Sequence, residues 1–136
     1  MRSFFESYLF IFLFLAAILI FWIIGFWFSL YYIFWWYDVV AHFTGGIWLA
    51  STALILKNKF GLSVSGRFAR LAAFLAVMGV LALAGALWEF LEFGADRYVF
   101  HFGFTYWPGI YEDTLSDLFI DLAGGLIGFF VYRKHA

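Results

Sequence analysis

Long apolar runs broken by short polar clusters set the plan of this chain. Residues 4–37 are almost continuously apolar, well beyond the ~20 residues a bilayer requires. The pattern predicts a first membrane helix over about 8–33. The aromatic stretch Tyr31 to Tyr37 would form its interfacial extension, where Trp and Tyr are enriched. A second span is expected at about 38–56, a third at 71–93 and a fourth at 113–132. The connection at 57–70 carries Gly61, Ser63, Ser65 and Gly66, which read as loop formers. The connection at 94–112 is aromatic and holds Pro108. No small-residue cleavage site follows the first run, so it reads as a retained span rather than a removed signal. The expectation is an all-α integral membrane protein: one transmembrane domain over 1–136 and a four-transmembrane-helix bundle.

Composition agrees. The chain has 136 residues, 66% hydrophobic and 12% charged, where a soluble domain is about half apolar and a quarter charged. A formal net charge of −1 gives no reason to expect a nucleic-acid partner. The absence of cysteine removes disulfides and thiolate chemistry. Four crossings bring both termini to one side. Arg2, Lys57, Lys59, Arg67, Arg70, Arg133 and Lys134 then share that side, and Arg97 stands opposite. By the positive-inside rule the termini and the 57–70 loop are cytoplasmic.

The polar residues inside the runs form a pattern of their own. Asp38-Val39-Val40-Ala41-His42-Phe43-Thr44-Gly45-Gly46-Ile47 and Asp117-Leu118-Phe119-Ile120-Asp121-Leu122-Ala123-Gly124-Gly125-Leu126 share the form D-x-x-x-(H/D)-x-x-G-G-(I/L). The second and fourth spans both run inward, so this is a partial parallel repeat about a pseudo-two-fold axis along the membrane normal. Gly45, Gly46, Gly124 and Gly125 would let those helices pack backbone to backbone.

Helical spacing places the acids on faces. Asp38 and His42 are at i, i+4; Glu89, Glu92 and Asp96 at i, i+3, i+7; Asp113, Asp117 and Asp121 at i, i+4, i+8. The topology puts all three stripes in the extracytoplasmic leaflet. Acids facing lipid are costly and acids facing each other repel. They require protonation, hydrogen bonds, pairing with Arg97, or a bound divalent cation. His42, Glu89, Asp117 and Asp121 are the expected metal ligands. Oxygen ligands suit Mg, Mn or Ca, and the histidine admits Fe or Zn. Asp38 or Glu92 would be the general base activating water. Against this stand plainer roles: Asp38 and Asp113 as helix N-caps, His42 as a core histidine bonded to Asp117 or Asp121, Glu92 and Asp96 as solvated interfacial acids, Arg97 as a snorkelling or neutralising cation, and His101 as a structural loop residue.

The segments Tyr37 to Gly45, Trp88-Glu89-Phe90-Leu91-Glu92-Phe93, and Asp113 to Leu118 followed by Asp121 and Gly124-Gly125 resemble the YjdF-like family of small bacterial inner-membrane proteins. More distantly they resemble VanZ-like proteins. Three of the four spans carry the likeness. It implies a multi-span fold in the bacterial inner membrane with an acidic extracytoplasmic site, in an envelope-lipid setting.

The pattern is compatible with three functions. A carboxylate–histidine site, metal-dependent or not, would act on or bind a lipid head group. An accessory subunit of a larger membrane complex, or a homo-oligomer, would use the acids as a packing network. Ion or proton transport is the third, disfavoured because no polar residues continue toward the cytoplasmic half.

Overall fold

The computed structural model describes residues 8–62 and 66–132. Every regular element in them is helical. α1 (Tyr8–Trp27) is apolar on all sides, as a helix facing mostly lipid should be. It ends where Ser29 adopts the left-handed region at φ 55. One short turn, α2 (Leu30–Ile33), follows, and extended Phe34 (φ −125, ψ 104) sends the chain back into α3 (Trp35–Lys59). The aromatic segment is thus the link between two antiparallel spans, and residues 8–37 hold a single membrane-length helix.

Two anchors hold α1 on α3. The Tyr37 hydroxyl donates to the Phe21 carbonyl at 2.6 Å while the two rings stack at 4.0 Å. Toward the other end, Trp48 Nε1 donates to the Ile11 carbonyl at 2.9 Å. α4 (Ala69–Ala95) returns the chain toward the acid-bearing end and runs into one π-helical turn, Asp96–Phe100. A 3-10 turn, Phe104–Tyr106, leads to α5 (Ile110–Tyr132).

The central seam is α3 against α5. The two run parallel with the repeated motifs side by side. A Cβ on Gly46 would collide with the Asp121 carbonyl oxygen and lie 2.9 Å from the Gly125 nitrogen. A Cβ on Gly124 would collide with the Phe43 carbonyl. One turn further, Gly128 faces the Ile47 carbonyl, 2.8 Å from where its Cβ would be. The backbones therefore touch at three levels, the close approach that small residues permit in membrane helices.

The copies are not interchangeable. Gly125 receives the Leu81 side chain from α4, and Gly45 has nothing within 4 Å of a Cβ position. The expected four-glycine seam is instead Gly46, Gly124 and Gly128, with Gly125 also packing α4 and Gly45 left open. The symmetry breaks because α1 and α4 flank the pair differently. Beyond the seam, Ala50, Leu54, Leu81 and Phe129 form the buried apolar core with Ile11 and Val77.

Candidate carboxylate–histidine site

His42 is the hub of the acid layer. It lies one turn before the α3–α5 glycine contact, which draws its ring between the helices and leaves it 6% exposed. Its Nδ1 is 3.3 Å from Asp121 Oδ1 on α5, and its Nε2 is 3.6 Å from Asp38 Oδ1 on its own helix. Nδ1 thus faces α5 and Nε2 faces the Asp38 carboxylate of α3.

Two sets of donor atoms converge on this ring. One atom each from Asp38, His42 and Asp117 lie within 4.8 Å of one another, and the same holds for His42, Glu89 and Glu92. Ligands that bind a common ion at ~2.0–2.6 Å sit at about this mutual distance. The structure therefore brings together all six acid and histidine residues singled out in the sequence, but in a different grouping. Asp38 and Glu92, expected to act as bases, stand among the ligand atoms. Asp121, expected to be a ligand, belongs to neither triplet. It holds the far side of the His42 ring, and its second oxygen fills the space beside Gly85, 2.6 Å from where a Cβ would be.

The acids differ in how they are satisfied. Asp96 is 1% exposed and accepts from Gly103 N at 2.8 Å, Thr105 N at 3.0 Å and Thr105 Oγ1 at 2.7 Å. It is a buried clamp on the 101–107 loop, not the solvated interfacial acid that its position suggested. His101 ends the π-turn in the left-handed region at φ 56 and donates its N–H to the Asp96 carbonyl. Asp117 is 5% exposed, with donor atoms of His42 and Asp38 as its near neighbours. Glu89 Oε1 is buried with no hydrogen-bond partner. Arg97 lies over the Tyr106 ring at 4.3 Å and is spent on the loop, so it does not neutralise the cluster.

The capping roles also change. Phe34 occupies the N-cap of α3, and no side chain caps that helix. Asp38 sits inside its first turn. Asp113 is exposed in the first turn of α5, its N–H donating to the Gly109 carbonyl.

Three residues escaped the sequence reading. Gly85 makes room for the Asp121 carboxylate; its signal was a glycine one turn before Glu89. Gly128 extends the seam, and the Gly124-x-x-x-Gly128 spacing would have revealed it. Tyr31 lies near Asp38 with its hydroxyl buried and unpartnered. Burial, and then the Asp38 charge, push its phenol up, so it remains a proton donor above the cluster.

Beside the cluster, α1, α3 and α4 line a half-open cavity of about 200 Å³. Leu15 and Ile18 wall it from α1 and Ala84 from α4, with Gly45 at its base. Its polar end is formed by Asp38, His42, Glu92 and Asp121.

Four membrane-length apolar helices around a buried acid–histidine layer define a multi-helix membrane protein. The chain belongs to the DUF2238 family, described as predicted membrane proteins, whose model matches residues 2–136. No curated protein and no solved structure matches the chain.

Proposed function

We propose that the protein binds a divalent cation at the acid–histidine layer and through it engages the phosphate of a lipid head group. The contrast between Asp96 and the cluster carries this reading. Where this fold uses an acid structurally, it surrounds the carboxylate with three donors. Within the cluster, Glu89 Oε1 is buried with no hydrogen-bond partner, although an unsatisfied buried polar group costs about 1–3 kcal/mol and more when charged. A cation supplies what the protein withholds. Asp38, His42 Nε2 and Asp117 would hold it, with Glu89 and Glu92 on the other face of the ring. Asp121 would orient His42, the role a carboxylate plays behind a metal-bound imidazole. A bound cation would add Lewis acidity toward a phosphoryl oxygen and a more acidic bound water. Glu92 borders both the cluster and the cavity and is the residue placed to take a proton from such a water. The basic asymmetry of the loops supports an outward-facing layer with the termini in the cytoplasm. The ordered segments that carry the YjdF-like resemblance support that placement within the family.

The test is Mn²⁺ binding to purified protein, followed by electron paramagnetic resonance and by thermal unfolding with and without chelator. Binding that is lost in Asp117→Asn, with a transition lowered by chelation, is the expected result. At a hundred times the dissociation constant the ion should add about 2.7 kcal/mol of stability. No bound ion and no chelator effect would overturn the metal reading.

A second reading rests on the contact of His42 with Asp121, which ties α3 to α5. In it the cluster is a packing network of an accessory subunit, and Asp121→Asn loosens the bundle while metal ions change nothing. Transport gains no support. Among the described residues, the half of the bundle beyond the cluster holds no buried acid or histidine.

A further inference from the structure

The cavity beside the cluster has the polarity of an amphiphile. Its polar end is the face of the acid–histidine layer formed by Asp38, His42, Glu92 and Asp121, and the rest is apolar side chain and glycine. Along α3 it extends from Asp38 to Leu49, roughly 16 Å at the helical rise. About 200 Å³ spread over that length leaves a slot far narrower than a helix, whose diameter is ~10–12 Å. A helix does not fit it. An apolar cavity of ~150 Å³ already admits a benzene-sized hydrocarbon.

The slot exists for two local reasons. α1 packs on α3 and meets α4 through the edge contact of Trp22 with Trp88, ring centroids 6.2 Å apart. Below that contact, α3 presents Gly45, where a Cβ would meet nothing within 4 Å. Every other glycine toward this end of the α3–α5 pair is filled by a neighbouring backbone or side chain, namely Gly46, Gly124 and Gly125. Gly45 alone of the repeat keeps its space empty.

We propose that the slot between α1 and α4 takes one acyl chain of a membrane phospholipid, holding its head group against the acid–histidine layer. This rests on the lipid head-group reading above and specifies how the lipid is held. The chain enters sideways from the bilayer, since the outer flank at Leu19 is open, with 46% of that residue exposed. The occupant is drawn from the solvent already surrounding the helix, and its polar end meets the one polar surface that the slot reaches.

The experiment uses full-length protein in phosphatidylethanolamine/phosphatidylglycerol vesicles containing a phosphatidylethanolamine with a photoactivatable diazirine in one acyl chain. Adducts are mapped by mass spectrometry. Leu15 and Ala84 in the slot should be labelled several-fold more than Phe12 and Leu83, which face lipid at 66% and 64% exposure. Gly45→Leu fills the slot from its base and should remove the Leu15 and Ala84 adducts while sparing those on Phe12 and Leu83. Gly45→Ala, a smaller filling, should reduce them in part and serves if the larger variant does not fold. Equal labelling of all four positions overturns the proposal, as does slot labelling that survives Gly45→Leu. Mn²⁺ binding is read on the same samples. Slot labelling without bound Mn²⁺ upholds the slot and removes the metal; bound Mn²⁺ with uniform labelling does the reverse.

Discussion

His42 and Asp121 stand at equivalent positions of the repeated motif, 79 residues apart, and touch each other, Nδ1 to Oδ1 at 3.3 Å. The repeat brings its two unlike members together across the α3–α5 seam. A symmetric pair of acids there would repel; the substitution of histidine in one copy converts that contact into an attraction. The asymmetry of the motif is thus the condition for its two halves to pack.

That contact should be measurable as a coupling. His42→Asn and Asp121→Asn are each expected to lower unfolding stability in detergent or bicelles, and the double variant should lose less than the sum. Interhelical hydrogen bonds in membranes show couplings of about 0.6–1.7 kcal/mol in such cycles, and this pair belongs in that range. Strict additivity would mean that the two side chains do not communicate.

Much of this architecture is written in the pattern. Four apolar runs, the acid layer and the parallel seam all follow from spacing, because helical periodicity dictates which residues share a face. Groupings between helices do not follow from spacing. Asp121 shares a stripe with Asp117 and reads from spacing as a ligand, yet Gly85 on α4 gives its carboxylate a niche beside Nδ1 of His42. Asp96 falls on the stripe with Glu89 and Glu92, but the π-turn at 96–100 rotates the chain there. Its carboxylate meets the backbone of Gly103 and Thr105 instead. Nothing in one helix's sequence reports a neighbour's niche or a local change of helical pitch.

Glycine substitutions should separate packing from space. Gly124→Ala drives a methyl into the Phe43 backbone carbonyl, which cannot move without parting α3 from α5. Overpacking of this kind costs about 1–3 kcal/mol or more. Gly45→Ala meets nothing and should be neutral or stabilising by up to ~1 kcal/mol through helix propensity. Thermal or denaturant unfolding of the two variants side by side checks the contrast; equal losses would mean that the seam is not where the structure has it.

Gly85→Ala tests the orienting role of Asp121. The methyl would meet the end of a flexible carboxylate rather than backbone, so the fold should survive with a small loss of stability. The carboxylate must swing away from the niche and from His42. A carboxylate that orients a metal-bound imidazole contributes about 10–100-fold to metal affinity, and Mn²⁺ affinity should fall by that order. Unchanged affinity in a folded variant would remove Asp121 from the site.

Asp96→Ala is the complementary experiment, on an acid with a structural duty. It strands two backbone N–H groups and the Thr105 hydroxyl, each worth about 1–3 kcal/mol if left buried and unsatisfied. Amide exchange should rise across residues 101–107. Mn²⁺ affinity should stay at the wild-type level, because no atom of Asp96 enters either donor triplet. A loss of metal with an intact loop would show that the division between structural and ligand acids has been drawn in the wrong place.

The proposed orientation rests on charge and can be read by chemistry, since the chain contains no cysteine. Arg67 and Tyr111 are both exposed and lie on opposite sides of α4 in chain order, Arg67 before the helix and Tyr111 after it. With one crossing between them, Tyr111→Cys should react with a membrane-impermeant maleimide added to intact cells. Arg67→Cys should react only after the membrane is opened. The α4 crossing forces opposite labelling, and the basic residues of the 57–70 loop determine which side is which. Reaction of Arg67→Cys from outside would invert the protein, and the acid–histidine layer would then face the cytoplasmic leaflet and its lipids.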